Sequence, residues 1–262
     1  MDDLKLVDIT PNNVMEHGLF CIKNVKNPEF ALKKNWFLQS YKEGLTIKIL
    51  YNDDGKQIGY IEYIPAEFAW RPIDAPCYMF IHCMFIYAKK DKEKGYGSFL
   101  VKACEEDAKR QNMKGVCVMT SNGTFIANKQ LFIKNGYSQI DKLERYELMV
   151  KKFDPDSQDP QLIDWTKDRE KYQGWNLLYA DQCPWHHRSV EALKEVAKDA
   201  GIDLKIKKIT NWQEAKKAPS GFGVFSLLHN GKLLEDHYLS ATRFKNILKK
   251  ELKLDINKRA DH

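Results

Sequence analysis

Asp91-Lys92-Glu93-Lys94-Gly95-Tyr96-Gly97-Ser98 is the stretch on which the reading of this chain turns. Two glycines one residue apart let a backbone turn tightly and approach a ligand without a Cβ in the way. Before the turn, Met79 to Tyr87 is an almost unbroken apolar run, the pattern of a strand buried on both faces. After it, Ser98 to Met113 carries apolar residues at 99, 100, 101, 104 and 108, one face of a helix. Such a helix turns its free N–H groups and positive dipole end toward the glycines, and Lys92 and Lys94 add charge. A Gly-x-Gly pair alone also occurs in ordinary strand–helix turns. Between a buried strand and an amphipathic helix it reads as an anion site suited to a pyrophosphate.

Working outward, Leu4 to Ile9 alternates like a strand. Residues 12–43 have helical spacing, and Pro28 divides them into two helices. Leu45 to Tyr51 and Gln57 to Ile64 read as strands joined by the turn Asn52-Asp53-Asp54-Gly55. Gly115 to Thr120 is another buried strand, 127–135 a short helix stopped by Asn135-Gly136, and Tyr137 to Val150 returns as one or two strands. The polar, twice-prolyl segment that opens at Phe153 and runs through Pro160 marks a boundary. The expected organisation is a first domain over 1–152, a linker over 153–165 and a second domain over 166–262. The fold class is α/β (α+β), with a mixed sheet flanked by helices and a second, smaller α/β unit.

Of the 262 residues, 43% are hydrophobic and 30% charged, ordinary values for a globular protein. No apolar run approaches the ~18 residues that span a bilayer, and the start, Met1-Asp2-Asp3-Leu4-Lys5, lacks the pattern of a signal peptide. A cytoplasmic location and no membrane partner are expected. The net charge of +6 is scattered and interleaved with acids, which argues against a nucleic-acid partner and suits an anionic ligand. The six cysteines form no C-x-x-C pair and mostly lie in apolar stretches, so no metal is expected.

The segment from Cys83 to Tyr137 resembles the core of the GNAT acetyltransferases. That family carries Arg/Gln-x-x-Gly-x-Gly/Ala, and this chain has Lys92-x-x-Gly95-x-Gly97, with lysine at the first position. A later family pattern, Leu-Tyr-x-Lys-x-Gly-Phe, is approached by Leu131-Phe132-Ile133-Lys134-Asn135-Gly136-Tyr137. The resemblance implies the GNAT mixed sheet, acetyl-CoA as cosubstrate and an amine acceptor. It implies that backbone amides around Lys92, Lys94, Gly95, Tyr96, Gly97 and Ser98 hold the pyrophosphate. The pantetheine would pair like an extra strand with the edge near Phe85, Ile86 and Tyr87, and helix 127–135, with Phe132, would flank the acyl end. One departure matters: the family tyrosine that protonates the leaving thiolate is Phe132 here.

Acyl transfer to an amine needs a neutral nucleophile and a route for its proton. His82, within the buried strand, reads either as the base or as a satisfied core histidine. Glu62, mid-strand among aromatics, reads either as a carboxylate acting through a water or as a solvent-facing residue. Cys83 reads as an acyl-accepting thiol or a core thiol. The loop Glu67-Phe68-Ala69-Trp70-Arg71-Pro72 either lines an acceptor pocket or is simply packed by Trp70.

Beyond the linker, the pattern is a strand at Trp175 to Ala180, then Cys183-Pro184, a helix, a strand at Leu204 to Ile209, Pro219, a hairpin and a closing helix. This order resembles the thioredoxin fold. The resemblance implies Cys183 at a helix N-terminus with Pro184 at its first position, and Pro219 as a facing cis-proline. His186 stands where the second cysteine would be. Disulfide cycling is excluded, while a monothiol, thiol-binding or structural role stays open. A GNAT domain with such a tail resembles the YoaP-like acetyltransferases of bacteria, and a homodimer is left open. Two rival readings are a thiol-handling protein acting through Cys183 and a non-catalytic coenzyme A or acetyl-CoA sensor.

Overall fold

The computed structural model describes residues 4–87, 94–123 and 126–260, without the side chains of 253–260. The first part is a seven-stranded sheet built from β1 (Lys5–Ile9), β2 (Thr46–Tyr51), β3 (Gln57–Pro65), β5 (Tyr78–Ile86), β6 (Gly115–Thr120), β8 (Tyr146–Lys152) and β7 (Ser138–Leu143), in that spatial order. Neighbours are antiparallel except β5 and β6, which run parallel through Tyr78↔Gly115 to Ile81↔Val118. The fold is therefore α/β with a mixed sheet, as the sequence predicts.

Helices cover both faces. Helix α3 (Tyr96–Arg110) buries Leu100, Val101, Cys104 and Ala108 against one face, the stripe expected from their spacing. On the other face lies α2 (Pro28–Tyr41), which starts with Pro28 inside its first turn and Asn27 accepting a hydrogen bond from the Glu29 N–H. The helical spacing before Pro28 yields only α1 (Val14–His17), because Gly18 at φ 71 ends it and 18–27 run irregularly. A short helix α4 (Lys129–Lys134) precedes the β7–β8 hairpin.

The stretch read as a linker is pinned to the first sheet. Its strand β9 (Gln161–Leu162) pairs with β4 (Ile73–Asp74), and the Tyr78 hydroxyl donates to the Gln158 carbonyl at 3.0 Å. A second sheet follows, ordered β11 (Leu204–Lys208), β10 (Trp175–Tyr179), β12 (Phe225–His229), β13 (Lys232–Glu235). Strands β10 and β11 are parallel and joined by α5 (Pro184–Asp199), and β12 is antiparallel to both its neighbours. Helix α6 (Trp212–Lys216) lies between β11 and β12, and α7 (Ala241–Ala260) closes the chain. Among the described residues no helix is long and apolar enough to cross a membrane.

The two sheets share one apolar core, running from Ile9 and Phe37 through Trp70 and Tyr146 to Leu177, Phe225 and Phe244. Two glycines make the close approach possible. A Cβ at Gly221 would overlap the buried Tyr146 ring, and one at Gly223 (φ 72) would overlap the Trp70 carbonyl. Gly221→Ala should therefore lower unfolding free energy by about 1–3 kcal/mol, the usual cost of overpacking. Urea denaturation of the full chain measures this, and a midpoint equal to that of the wild type would show that the second sheet does not bear on Tyr146.

Candidate active site

The parallel pair β5–β6 stops at Ile81↔Val118, although both strands continue. The cause lies on the other side of β5. Against β3 the register runs Glu62↔Cys83 and then Tyr63↔Ile81, so His82 is an extra, bulged residue. A bulge bends its strand and increases the local twist. Beyond it, β5 turns away from β6 and its backbone from His82 to Ile86 has no partner in β6. A gap of this kind between two neighbouring strands is a template for an added strand.

Around the bulge lies a closed ring of polar groups. Lys33 Nζ donates to Glu62 Oε2 at 2.7 Å, and Gln182 Nε2 donates to Glu62 Oε1 at 2.8 Å. Arg71 Nη1 donates to Gln182 Oε1 at 2.8 Å and to the Trp70 carbonyl at 2.7 Å. The Trp70 N–H donates to His82 Nε2 at 2.9 Å, which leaves the proton of the neutral ring on Nδ1, 3.6 Å from Glu62 Oε1. The Glu62 side chain is 1% exposed and the His82 side chain 0%.

This environment bears on both expected base assignments. Burial lowers the His82 pKa to about 4 from the usual 6.5, against the opposing pull of Glu62. Its Nε2 lone pair is occupied, so it has nothing with which to take a substrate proton. Burial pushes the Glu62 carboxyl up, but Lys33 and His82 together overcome this and hold it at about 2. Glu62 is neither solvent-facing nor a free base. It is the anionic centre of the ring.

Three thiols border the ring, a cluster that sequence reasoning missed. The Cys21 thiol donates to the Tyr60 hydroxyl at 3.2 Å, and that hydroxyl donates to Cys83 Sγ at 2.7 Å. Cys183, from the second sheet's α5, interacts electrostatically with both Cys21 and Cys83. All three are half-buried. Cys183 does stand before Pro184 at the start of α5, and the Trp185 N–H lowers its pKa, but burial outweighs this and pushes it up to about 11. The helix start thus fails to yield the reactive thiolate expected from it. His186 gives no help: it is 1% exposed, its Nδ1 donates to the Ala180 carbonyl at 2.9 Å, and burial lowers its pKa to about 3. No cis peptide bond occurs among the described residues, so the cis form expected of Pro219 is absent.

At the phosphate end, Gly95 caps α3 in the left-handed region at φ 81, with open space where a Cβ would stand. The N–H groups of Tyr96, Gly97 and Ser98 belong to the first turn of α3, whose N-cap Gly95 has no side chain to cap it. Gly97 serves a different purpose from the one expected. A Cβ there would come within 3.2 Å of Leu131, so its smallness seats α3 against α4 rather than admitting a ligand. Ser98 Oγ accepts from Asn135 Nδ2 at 3.0 Å across the same contact. Lys92 lies outside the described residues, and Lys94 stands over the Tyr96 ring at 5.7 Å. Along β5, Phe85 is half-exposed, Ile86 buried and Tyr87 exposed. Phe132 is fully buried, edge-on to Tyr137 at 5.4 Å, and so presents no surface to an acyl group.

Comparison with known proteins adds the following. The sequence model of a family described as YoaP-like matches residues 203–246. The chain is 26% identical over 248 residues to a Bacillus subtilis (strain 168) protein named "Uncharacterized N-acetyltransferase YoaP", covering 92% of this chain and 97% of that one. Among solved structures, an acetyltransferase of the GNAT family from Staphylococcus aureus Mu50 aligns with a TM-score of 0.40 and 17% identity, over 57% of this chain and 98% of that one. Spermidine N-acetyltransferase from Vibrio cholerae, solved with CoA and spermine, aligns with a TM-score of 0.40 and 12% identity, over 56% and 92%.

Two outcomes follow from the buried groups. Cys77 is the exposed cysteine of the described chain. Cys21, Cys83 and Cys183 are half-buried with pKa values pushed to about 12, 12 and 11. Limiting iodoacetamide at neutral pH, followed by peptide mapping, should label Cys77 first, whereas Cys183 labelled first would show that the crevice stands open. His82 and His186 fold with pKa values below that of a free ring. Between pH 6.5 and about 4 the unfolded chain therefore binds protons that the folded chain refuses. Stability is full above pH 6.5 and falls on acidification, by about 1.4 kcal/mol per pH unit for each histidine. His186→Gln should reduce the slope of unfolding free energy against pH by that amount, and an unchanged slope would mean that His186 is already charged in the folded protein.

Proposed function

We propose that this chain is an acetyl-CoA-dependent N-acetyltransferase of the GNAT kind, with a first domain over 1–152 and a second over 166–262. The observation that carries the reading is the gap between β5 and β6 beyond the His82 bulge, with a glycine-capped helix start packed on the same sheet. Similarity over most of both chains to a protein named as an N-acetyltransferase supports it. The residues fit the cosubstrate. The N–H groups of 96–98 suit its pyrophosphate, and the gap between β5 and β6 suits the amides of its pantetheine. When bound, it supplies a thioester whose C–S bond breaks as the acceptor C–N bond forms, so that the nitrogen sheds one proton and the departing thiolate takes one up to become the free thiol.

The protein's own groups define how that proton leaves. With His82 neutral and Glu62 locked to Lys33 and Gln182, neither serves as a base near neutral pH. The acceptor amine must therefore arrive uncharged, and its proton passes to solvent. Phe132 neither donates a proton nor reaches the site. The second domain closes the acceptor side, since Gln182 and Cys183 stand against the ring and α2 packs on α5. Its strand order and helix placement support a thioredoxin-like reading of architecture. Its half-buried Cys183, with a pKa pushed up to about 11, argues for a wall, not a thiol catalyst.

Two measurements test this. Gly95→Asp keeps a residue that tolerates a left-handed conformation and adds a negative charge at the helix start. Calorimetry should show coenzyme A affinity falling at least tenfold, about 1.4 kcal/mol, and unchanged affinity with the fold intact would refute the phosphate site. The logarithm of kcat/KM should rise with pH until the acceptor's own amine pKa is reached, with no break near 6.5. A break there that disappears in His82→Gln would restore His82 as the base.

A further inference from the structure

Arg71 carries a charge that the surrounding protein answers only in part. It is 6% exposed and lies in the loop between the single 3-10 turn Ala66–Phe68 and β4. Both of its hydrogen-bond partners, the Trp70 carbonyl and Gln182 Oε1, are neutral and both bind Nη1. The guanidinium lies over the Phe222 ring, 4.7 Å from its centre. Nε and Nη2 have no acceptor among the described residues. Burial lowers the Arg71 pKa, opposed by Cys83, Tyr146, Glu62 and Cys183.

The neighbouring cations are matched. Lys33 pairs with Glu62 at 2.7 Å, Arg145 with Asp236 at 2.5 Å and Arg243 with Glu235 at 2.5 Å. His82 and His186 are neutral and the three thiols protonated. Among the described residues around this crevice, Arg71 is thus the cation with no carboxylate bonded to it. The free Nε–Nη2 edge of a guanidinium matches the two oxygens of a carboxylate, and the low local dielectric strengthens the pair.

We propose that Arg71 binds the carboxylate of the acceptor, so that the amines acetylated here are small amino acids or close analogues. This rests on the acetyltransferase reading and narrows it. A carboxylate held at Arg71 keeps an α-amino group two bonds away, at the same end of the β5–β6 gap as Cys83. The loop 67–72 thereby acts as the specificity wall of the acceptor pocket.

The test uses the full chain with acetyl-CoA and follows release of free thiol. The acceptors are free amino acids, the matching carboxamides and the matching decarboxylated amines. At least one amino acid should exceed its carboxamide in kcat/KM by about tenfold or more. Arg71→Gln should bring that ratio to within about threefold of one, and Arg71→Lys, which keeps the charge but not the fork, should give an intermediate ratio. Circular dichroism and thermal unfolding of both variants check the fold, and the wild-type ratio decides the matter even if a variant fails to fold. Carboxamides or plain amines acetylated as well as the acids would overturn the proposal while leaving the acetyltransferase reading standing. Absence of turnover across all three panels would overturn both.

Discussion

A single buried carboxylate governs this architecture. Glu62 on β3 holds Lys33 from α2 through one oxygen and Gln182 from the start of α5 through the other, with His82 of β5 facing it. An ion pair removed from water survives only if its remaining hydrogen-bonding capacity is filled, and removing one partner of such a pair typically costs about 3–5 kcal/mol. The four elements that supply these groups must therefore keep their mutual positions. The bulge at His82 belongs to the same constraint, because the Trp70 N–H bonds one ring nitrogen while Glu62 faces the other at 3.6 Å.

The second sheet is coupled to the first by packing as well as by charge. Gly221 and Gly223 bring its loop against Tyr146 and Trp70 at distances that no Cβ would allow. Tyr146 donates to Asp236 at 2.6 Å, so polar bonds flank the apolar contact. Coupling of this kind suits a lid that defines an acceptor pocket. It does not suit a thiol module that must present its cysteine to partners.

The fate of Cys183 shows two effects in competition. A helix N-terminus favours a thiolate by about 0.3–1 kcal/mol, up to ~2 in partly buried geometry. Full burial shifts an ionisable group by up to about 3–5 pKa units, several kcal/mol in the opposite direction. The Trp185 N–H lowers the thiol pKa, yet the outcome is about 11. The same arithmetic neutralises His82 and His186. Position at a helix end is local, but burial depends on what else packs there.

The apolar run Met79–Tyr87, the stripe at 100, 101, 104 and 108, the turn at Asn52–Gly55 and the glycine turn before α3 are written in neighbouring residues. Their strands and helix lie where the sequence places them, since periodicity and turn chemistry act over a few positions. The bulge at His82 leaves no mark in an unbroken apolar run, because it is a matter of register between two strands. Glu62 finds partners 29 and 120 residues away, and Arg71 meets Gln182 at a separation of 111. Gly97 reads locally as a ligand glycine, yet Leu131 occupies the space beside it. The sequence by itself thus determined most of the elements, the α/β class and the glycine-capped helix start. Only the tertiary structure decided which titratable groups are buried, which charge is left without a carboxylate and which thiols stand together, because desolvation and pairing are set by residues brought together from distant parts of the chain.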